Sequence, residues 1–487
     1  MAHVDGDVVE LHVACREHAA LFDESSFAKL EVTGAGAADF LEGLCANRVA
    51  RDVGRVTYTQ MLNGRGGIEC DFTVTRLADD RFRIVTGTAF GQHDLAWLRQ
   101  HAPEDGSVQV ADVTSQYACL GLWGPQARAV LQPLTRTDLS TAAFPYMWHD
   151  GRPVEPSPRQ VLRAQIARAE ALGLTPMVGS ELEFYLVRET YAEAHAKGYE
   201  SLTPSVPYIL DYHILATTYD EPLLRSIRNN MQAAGIRVET SKGEAWPGQQ
   251  EINFRCADAL TMADNHVIYK NGAKEIAFLH GCAISFMPKP FEAWIGNSCH
   301  IHASLWSNGR NAFARGDSPT TVFRRFLAGQ IACAKELAIF FAPTINSYKR
   351  YAAGSWAPTT LAWGHDNRTC GFRVVGHGQG LRVETRIPGG DVNPYLAFAA
   401  MIAAGIHGIE NELRLPAALE GNAYESRADR FPSTLREAIA ALEQGSVARA
   451  AFGDQVVDHY LNYARTEQGL FDRYVTDWER KRYFERT

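Results

Sequence analysis

The sequence predicts an α+β fold, with helices covering a mostly antiparallel sheet whose other face carries a polar site. Three observations lead there. Helix-like and strand-like runs are intermixed in the longer, C-terminal part of the chain. Four segments in that part put charged or metal-binding residues at alternate positions with apolar residues between them: Glu181-Leu182-Glu183, Glu251-Ile252-Asn253-Phe254, His300-Ile301-His302-Ala303-Ser304 and Glu384-Thr385-Arg386. Residues two apart on a strand share a face, so each segment reads as a strand with one polar and one apolar side. Finally, the character of the chain changes near residues 147–158, which divides it into two unlike parts.

Taken in order, the first part reads as strands at 27–32, 55–62, 70–76, 82–86 and 118–122, alternating with short helices. TRTDLSTAAFPYMWHDGRPVEPSPRQ follows, with three prolines between Arg152 and Arg159, and reads as a linker or surface crossing. A helix is expected over 158–172, ended by Gly173. Further helices are expected over 221–234, 259–280, 321–341, 394–413 and 433–442, the last opening on a Pro-Ser pair. The polar-faced strands fall between these helices, as in an α+β domain. The expected domains are 1–147 and 148–487.

Composition narrows the class. The 487 residues are enough for two or three domains, and 46 % apolar content supports a large core. The net charge of −8 and the lack of a basic run argue against a nucleic-acid partner. Nine scattered cysteines without a CxxC pair suggest neither a disulfide framework nor a zinc ribbon. The N-terminus MAHVDGDVVE is not a signal peptide, and the longest mostly apolar stretch, 397–406, is too short to span a bilayer. A soluble cytoplasmic protein is expected.

A strand can bury carboxylates and imidazoles only if something compensates them, and metal ions or a phosphorylated substrate are the usual means. Glu181, Glu183, Glu244, Glu251 and Glu384 are hard oxygen donors suited to Mg2+ or Mn2+, and His300 adds an imidazole. Together they suffice for two divalent ions, a standard device for phosphoryl transfer. Arg350, Arg368, Arg373 and Arg386 supply guanidiniums for oxygens that gain charge. Gly354 and Gly389-Gly390 suggest flexible loops over the site. An ExE or HxH alone is ordinarily structural. The argument rests on their concurrence in one half of the chain.

At these residues the sequence resembles the glutamine synthetase catalytic domain. The matching text is GEAWPGQQEINF (243–254), KEIAFLHGCAISFMPKP (274–290), NSCHIHASLW (297–306), PTINSYKR (343–350), NRTCGFR (367–373) and RVETRIPGGDVNPYLAF (382–398), in order from about Trp148 to the C-terminus. The resemblance implies two Mg2+ or Mn2+ ions, ATP as co-substrate, and an ATP-dependent joining of glutamate to ammonia or an organic amine through a γ-glutamyl phosphate. It implies Glu183, Glu244 and Glu251 at the first metal, and Glu181, His300 and Glu384 at the second. It places His302 and Ser304 at the nucleotide and Gly296 at the glutamate. Arg350 and Arg386 would grip glutamate, and Arg368 and Arg373 would face phosphates. A homo-oligomer is implied as well.

The sequence departs from this family in two respects. The flap that normally carries a glutamate reads Ala353-Gly354-Ser355-Trp356-Ala357-Pro358, so tryptophan stands in its place. An apolar ring cannot act as a base but can line a pocket for an organic amine. Ahead of the catalytic text, no match to the family's β-grasp domain is found. Residues 10–147 instead resemble the folate-binding aminomethyltransferase domain of the glycine cleavage system, through LFDESSFAKLEVTGAGAADFLEGLCANRV (21–49), VGRVTYTQMLNGRGGIECDFTVTRLADDRFRIVTG (53–87) and LGLWGPQARAVL (120–131). Asp71 matches that family's catalytic aspartate beside tetrahydrofolate. The resemblance stops near Met147, short of a whole domain, which would leave apolar surface and strand edges uncovered. Two other functions follow from this part: a folate-dependent aminomethyltransferase-like protein, or a non-catalytic fusion that binds nucleotide.

Overall fold

The computed structural model describes residues 15–64, 66–140, 154–209, 211 and 213–486. The chain divides into two compact units, Met1–Trp148 and His149–Thr487. The expected 147/148 junction and half of its proline-rich linker lie outside the described residues.

The first unit is built on a five-stranded antiparallel sheet. Its strands are β2 (Ala28–Thr33), β3 (Val56–Leu62), β4 (Ile68–Ala78), β5 (Arg81–Thr86) and β6 (Gln109–Asp112), in the order β3-β4-β5-β2-β6. A separate pair joins β1 (Ala20–Asp23) to β7 (Leu120–Trp123). Helices α1 (Ala37–Leu44) and α2 (Gly91–His101) share a core with the sheet, in which Leu41, Leu98, Phe82 and Ile84 are buried. β3 alternates as a half-buried strand should: Thr57, Thr59 and Met61 point in, while Val56, Tyr58 and Leu62 are exposed on an edge strand.

The second unit contains a ten-stranded sheet. Its main strands are β8 (Thr175–Val187), β9 (Val238–Gly243), β10 (Gln249–Phe254), β11 (Ala283–Ser285), β12 (Cys299–Ser307), β13 (Trp363–His365), β14 (Phe372–Val375) and β15 (Arg382–Thr385). They run in the order β13-β14-β15-β12-β8-β10-β9, with β11 beside β8. Only the β13–β14 pair of this path is parallel. Helices α3 (Pro158–Ala171), α4 (Ile214–Ala233), α5 (Ala259–Leu279), α6 (Thr321–Cys333) and α7 (Ile345–Tyr348) follow the strands or interrupt them. α8 (Pro394–Glu410), α9 (Leu435–Gln444), α10 (Asp454–Asp472) and α11 (Asp477–Tyr483) lie toward the C-terminus, and short helices at Tyr191–Ala196, Ala338–Phe341 and Val447–Phe452 join them. The apolar stretch 397–406 is the middle of α8, buried on nearly all sides and packed against α3 and α6. A Cβ on Gly408 would stand 2.1 Å from the Arg325 carbonyl oxygen, so glycine permits the close crossing of α6 and α8. No helix of the described residues is long and apolar enough to cross a membrane.

Three expectations need correction. The helix expected from 221 begins at Ile214, because His213 Nδ1 caps it by accepting from the Ala216 amide at 3.2 Å, and Pro222 lies inside rather than at the start. The run 321–341 is two helices, Thr321–Cys333 and Ala338–Phe341, separated by a turn. Gly389 and Gly390 are buried, and a Cβ on Gly390 would stand 2.4 Å from the Phe286 carbonyl oxygen, so this pair serves close packing rather than flexibility.

Candidate active site

Strand pairing brings the polar faces together. β8 lies between β10 and β12, setting Glu183 opposite Glu251 and Glu181 opposite His300. β15 joins the other edge of β12, setting Glu384 opposite His302, and Arg373 of β14 stands opposite Glu384. Two three-residue clusters result: Glu183, Glu244 and Glu251, and Glu181, His300 and Glu384, with one donor atom of each residue within 4.8 Å of the others. They are the two sets expected from the sequence.

Their electrostatics differ. Burial, with Glu251 nearby, raises the Glu183 carboxyl to about 6. Burial and neighbouring carboxylates raise Glu244 and Glu251 to about 7. Lys242 is the ammonium set against this cluster, and burial and mutual repulsion outweigh it. In the second cluster burial opposes ionisation, but hydrogen bonds with His300 and His302 hold Glu181 well below the carboxylate range. His300, Arg386 and His302 likewise hold buried Glu384 down at about 2. Burial and Arg386 lower His300 to about 4, so its imidazole is neutral and has a free lone pair at physiological pH. Oxygen-only donors in one cluster, and two carboxylates with a neutral imidazole in the other, fit divalent cations.

The arginines surround these clusters. Arg350 is buried and donates to the carbonyls of Arg386, Ile387 and Pro388, while its Nε has no partner among the described residues. Arg386 Nη1 donates to Glu384 Oε1 at 2.5 Å, and its Nε is also unpartnered among the described residues. Arg373 Nη1 reaches Glu384 Oε2 at 2.8 Å, and its Nε donates to Asp366 at 2.9 Å. A Cβ on Gly296 would stand 2.3 Å from Arg350 Cγ, so glycine there makes room for the arginine stem.

Two cavities meet at Glu181. One, of about 400 Å³, is lined by both carboxylate clusters, Gly296, Arg350, Trp356, Arg368, Arg373 and Arg386. The other, of about 760 Å³, is lined by His302, Ser304, Trp306 and Arg382. His302 Nε2 lies 3.0 Å from Glu181 Oε1, and its Nδ1 accepts from Arg382 Nε at 3.1 Å. The Ser304 hydroxyl accepts from Trp306 Nε1 at 2.9 Å. Trp356 is half exposed and has φ +62°, a backbone region costly for a residue with a Cβ. Asp71, in the first unit, is exposed on β4 opposite Gln60, with the Tyr58 hydroxyl bonded to it.

Sequence reasoning missed Lys242. Its Nζ lies 2.8 Å from Glu244 Oε1 and 3.1 Å from Glu251 Oε1. The signal was present: Lys242 and Glu244 are two apart, the same alternation that marked the other strands. It also missed Gln249, whose Nε2 donates to the Gly296 carbonyl at 3.2 Å and to Asn297 at 3.1 Å.

Comparison with known proteins agrees with this geometry. Residues 155–483 match the glutamine synthetase catalytic domain, and residues 3–164 match the GCVT N-terminal domain. The chain is 54 % identical over 340 residues to a gamma-glutamylethanolamide synthetase of Streptomyces coelicolor, covering 70 % of this chain and 73 % of that one. It is 38 % identical over 344 residues to a glutamate–isopropylamine ligase of a Pseudomonas species, covering 69 % and 75 %. A solved structure described as a GmaS/ADP complex aligns with a TM-score of 0.62 and 32 % identity, covering 69 % of this chain and 79 % of that one.

Proposed function

The chain belongs to the glutamine synthetase family, and from that premise we propose that its acceptor is an organic amine in preference to ammonia. The reaction class is that of an ATP-dependent glutamate–amine ligase. In this reading 148–487 is the ligase domain, and Glu183, Glu244 and Glu251 hold one Mg2+ or Mn2+ while Glu181, His300 and Glu384 hold the other. Such cations would neutralise the triphosphate and draw charge from the γ-phosphoryl group. Ser304 and His302 contact the nucleotide in the larger cavity. Arg350 and Arg386 orient the glutamate carboxylates, and Arg368 and Arg373 take up charge on the transferred phosphoryl oxygens. The chain would work as a homo-oligomer, for which exposed apolar side chains such as Ile214, Tyr219, Phe278 and Leu279 offer material. Tetrahydrofolate is the ligand to try on the 1–147 domain, at Asp71.

The observation that carries the acceptor preference is Trp356, whose strained backbone holds an indole at the wall of the carboxylate-lined cavity, where the family's flap places a glutamate. The indole offers apolar surface to a carbon-bearing amine and no base to ammonium. Glutamate-dependent ADP release should be faster with ethanolamine or a short alkylamine than with ammonia. Trp356→Glu should lower that preference by roughly tenfold, about 1.4 kcal/mol. Ammonia as the best acceptor of the unmodified protein would overturn the proposal.

A further inference from the structure

We propose that the first unit holds a zinc-type metal site built from Cys70, His93 and Asp94. Cys70 lies on the face of β4 that packs into the core, and His93 and Asp94 lie in the first turn of α2. One donor atom from each is within 4.8 Å of the other two. Cys70 and Asp94 are 2 % and 1 % exposed, while the His93 side chain is half exposed. His93 Nδ1 stands 3.0 Å from Asp94 Oδ1. With bonds of about 2.0–2.3 Å, two donors on one tetrahedral zinc stand roughly 3.3–3.6 Å apart, so small side-chain rotations close this cluster on an ion.

The groups behind the donors are those a metal site needs. Thr86 Oγ1 donates to Asp94 Oδ2 at 2.7 Å, which fixes the carboxylate and leaves its other oxygen toward His93. Glu69 Oε2 lies 3.9 Å from His93 Nε2, so the ring has an acceptor for its outer N–H when Nδ1 is the donor. Asn63 Nδ2 in turn holds Glu69 Oε1 at 2.7 Å. Carboxylates behind a histidine ligand orient the ring and raise its basicity. Three protein ligands leave a fourth place on the exposed His93 side for solvent or a small ligand. Metal binding would release the Cys70 thiol proton to solvent, and the sulfur donor so formed gives selectivity: it favours zinc over the magnesium suited to the oxygen clusters of the second unit. Asp71 is adjacent in sequence but exposed on the opposite face of β4, so this site is separate from it.

Cobalt(II) is the probe, titrated into full-length protein holding Mg2+; cobalt also exchanges into the oxygen clusters, so the readout is the sulfur band alone. The expected result is a thiolate-to-cobalt band in the near ultraviolet that saturates at one equivalent of sulfur-bound cobalt and is displaced by zinc. Cys70→Ser should lose the near-ultraviolet band. Where that buried substitution fails to fold, His93→Asn, at a half-exposed side chain, decides: cobalt binding should weaken by roughly 10- to 100-fold. No near-ultraviolet band at millimolar cobalt, or a band that His93→Asn leaves unchanged, would overturn the proposal.

Discussion

Lys242 puts an ammonium among carboxylates that burial pushes toward protonation, 2.8 Å from Glu244 and 3.1 Å from Glu251. It supplies part of the charge that a divalent cation would otherwise supply, so ammonium and cation compete for the same oxygens. Methionine keeps much of the stem and removes the charge. Lys242→Met should therefore tighten Mn2+ binding at this cluster by roughly tenfold, about 1.4 kcal/mol, in a titration followed by electron paramagnetic resonance. Weaker binding would mean that the ammonium holds the carboxylates in place for the ion. At this scale the sequence was informative about residue types and poor about contacts. Alternation marked Glu181, Glu183, His300 and Glu384 as sharing polar faces, because strand geometry has a period of two. It could not show that the Gly296 position must lack a Cβ to admit the Arg350 stem, since those two residues meet only in the fold.

Strand order turns separate polar faces into paired clusters. β8 is central: it gives Glu181 to one cluster and Glu183 to the other. The strands were legible from alternation, but their neighbours were not, because the β12–β15 pairing that brings Glu384 to His300 joins segments far apart in the chain. The start of α4 was misread for a related reason. Pro222 resembles a first-turn proline, while the actual cap, His213 Nδ1, is not among the usual capping groups. The paired carboxylates have a consequence for pH. Glu183, Glu244 and Glu251 titrate in the folded protein near 6 to 7, above their unfolded values, so the folded state binds their protons more tightly. Without metal, this cluster costs stability progressively as pH rises from the unfolded carboxylate range toward 7. Glu384, held at about 2, acts in the opposite sense: its contribution is present above the unfolded value and is lost only as pH falls toward 2. A divalent cation removes the repulsion and must displace protons below pH 7. The gain in melting temperature on adding Mg2+ should therefore be larger at pH 8 than at pH 5.5. Equal gains at both would show that the clusters do not bind the ion through ionised carboxylates.

Among the described residues, each unit has its own large hydrophobic core. One gathers Leu30, Leu41, Phe82 and Leu98 in the first unit. The other, much larger, runs from Val161 to Ala464 in the second. A change of character near residues 147–158 was visible in composition and motif. The helices Asp454–Asp472 and Asp477–Tyr483 were not, because α10 buries only Val456, Val457, Leu461 and Ala464 among the polar residues of its long span, a thin signal for periodicity. Cores that share no residues give each unit its own cooperative network, and a ligand stabilises the state whose site it fills. Calorimetry should resolve two transitions. Mg2+ with ADP should raise the one belonging to the second unit by several degrees and leave the other in place, whereas zinc, with Mg2+ already saturating, should raise the one belonging to the first. One transition shifted as a whole by either ligand would show instead that the two cores unfold together, and that the fusion has become a single cooperative protein.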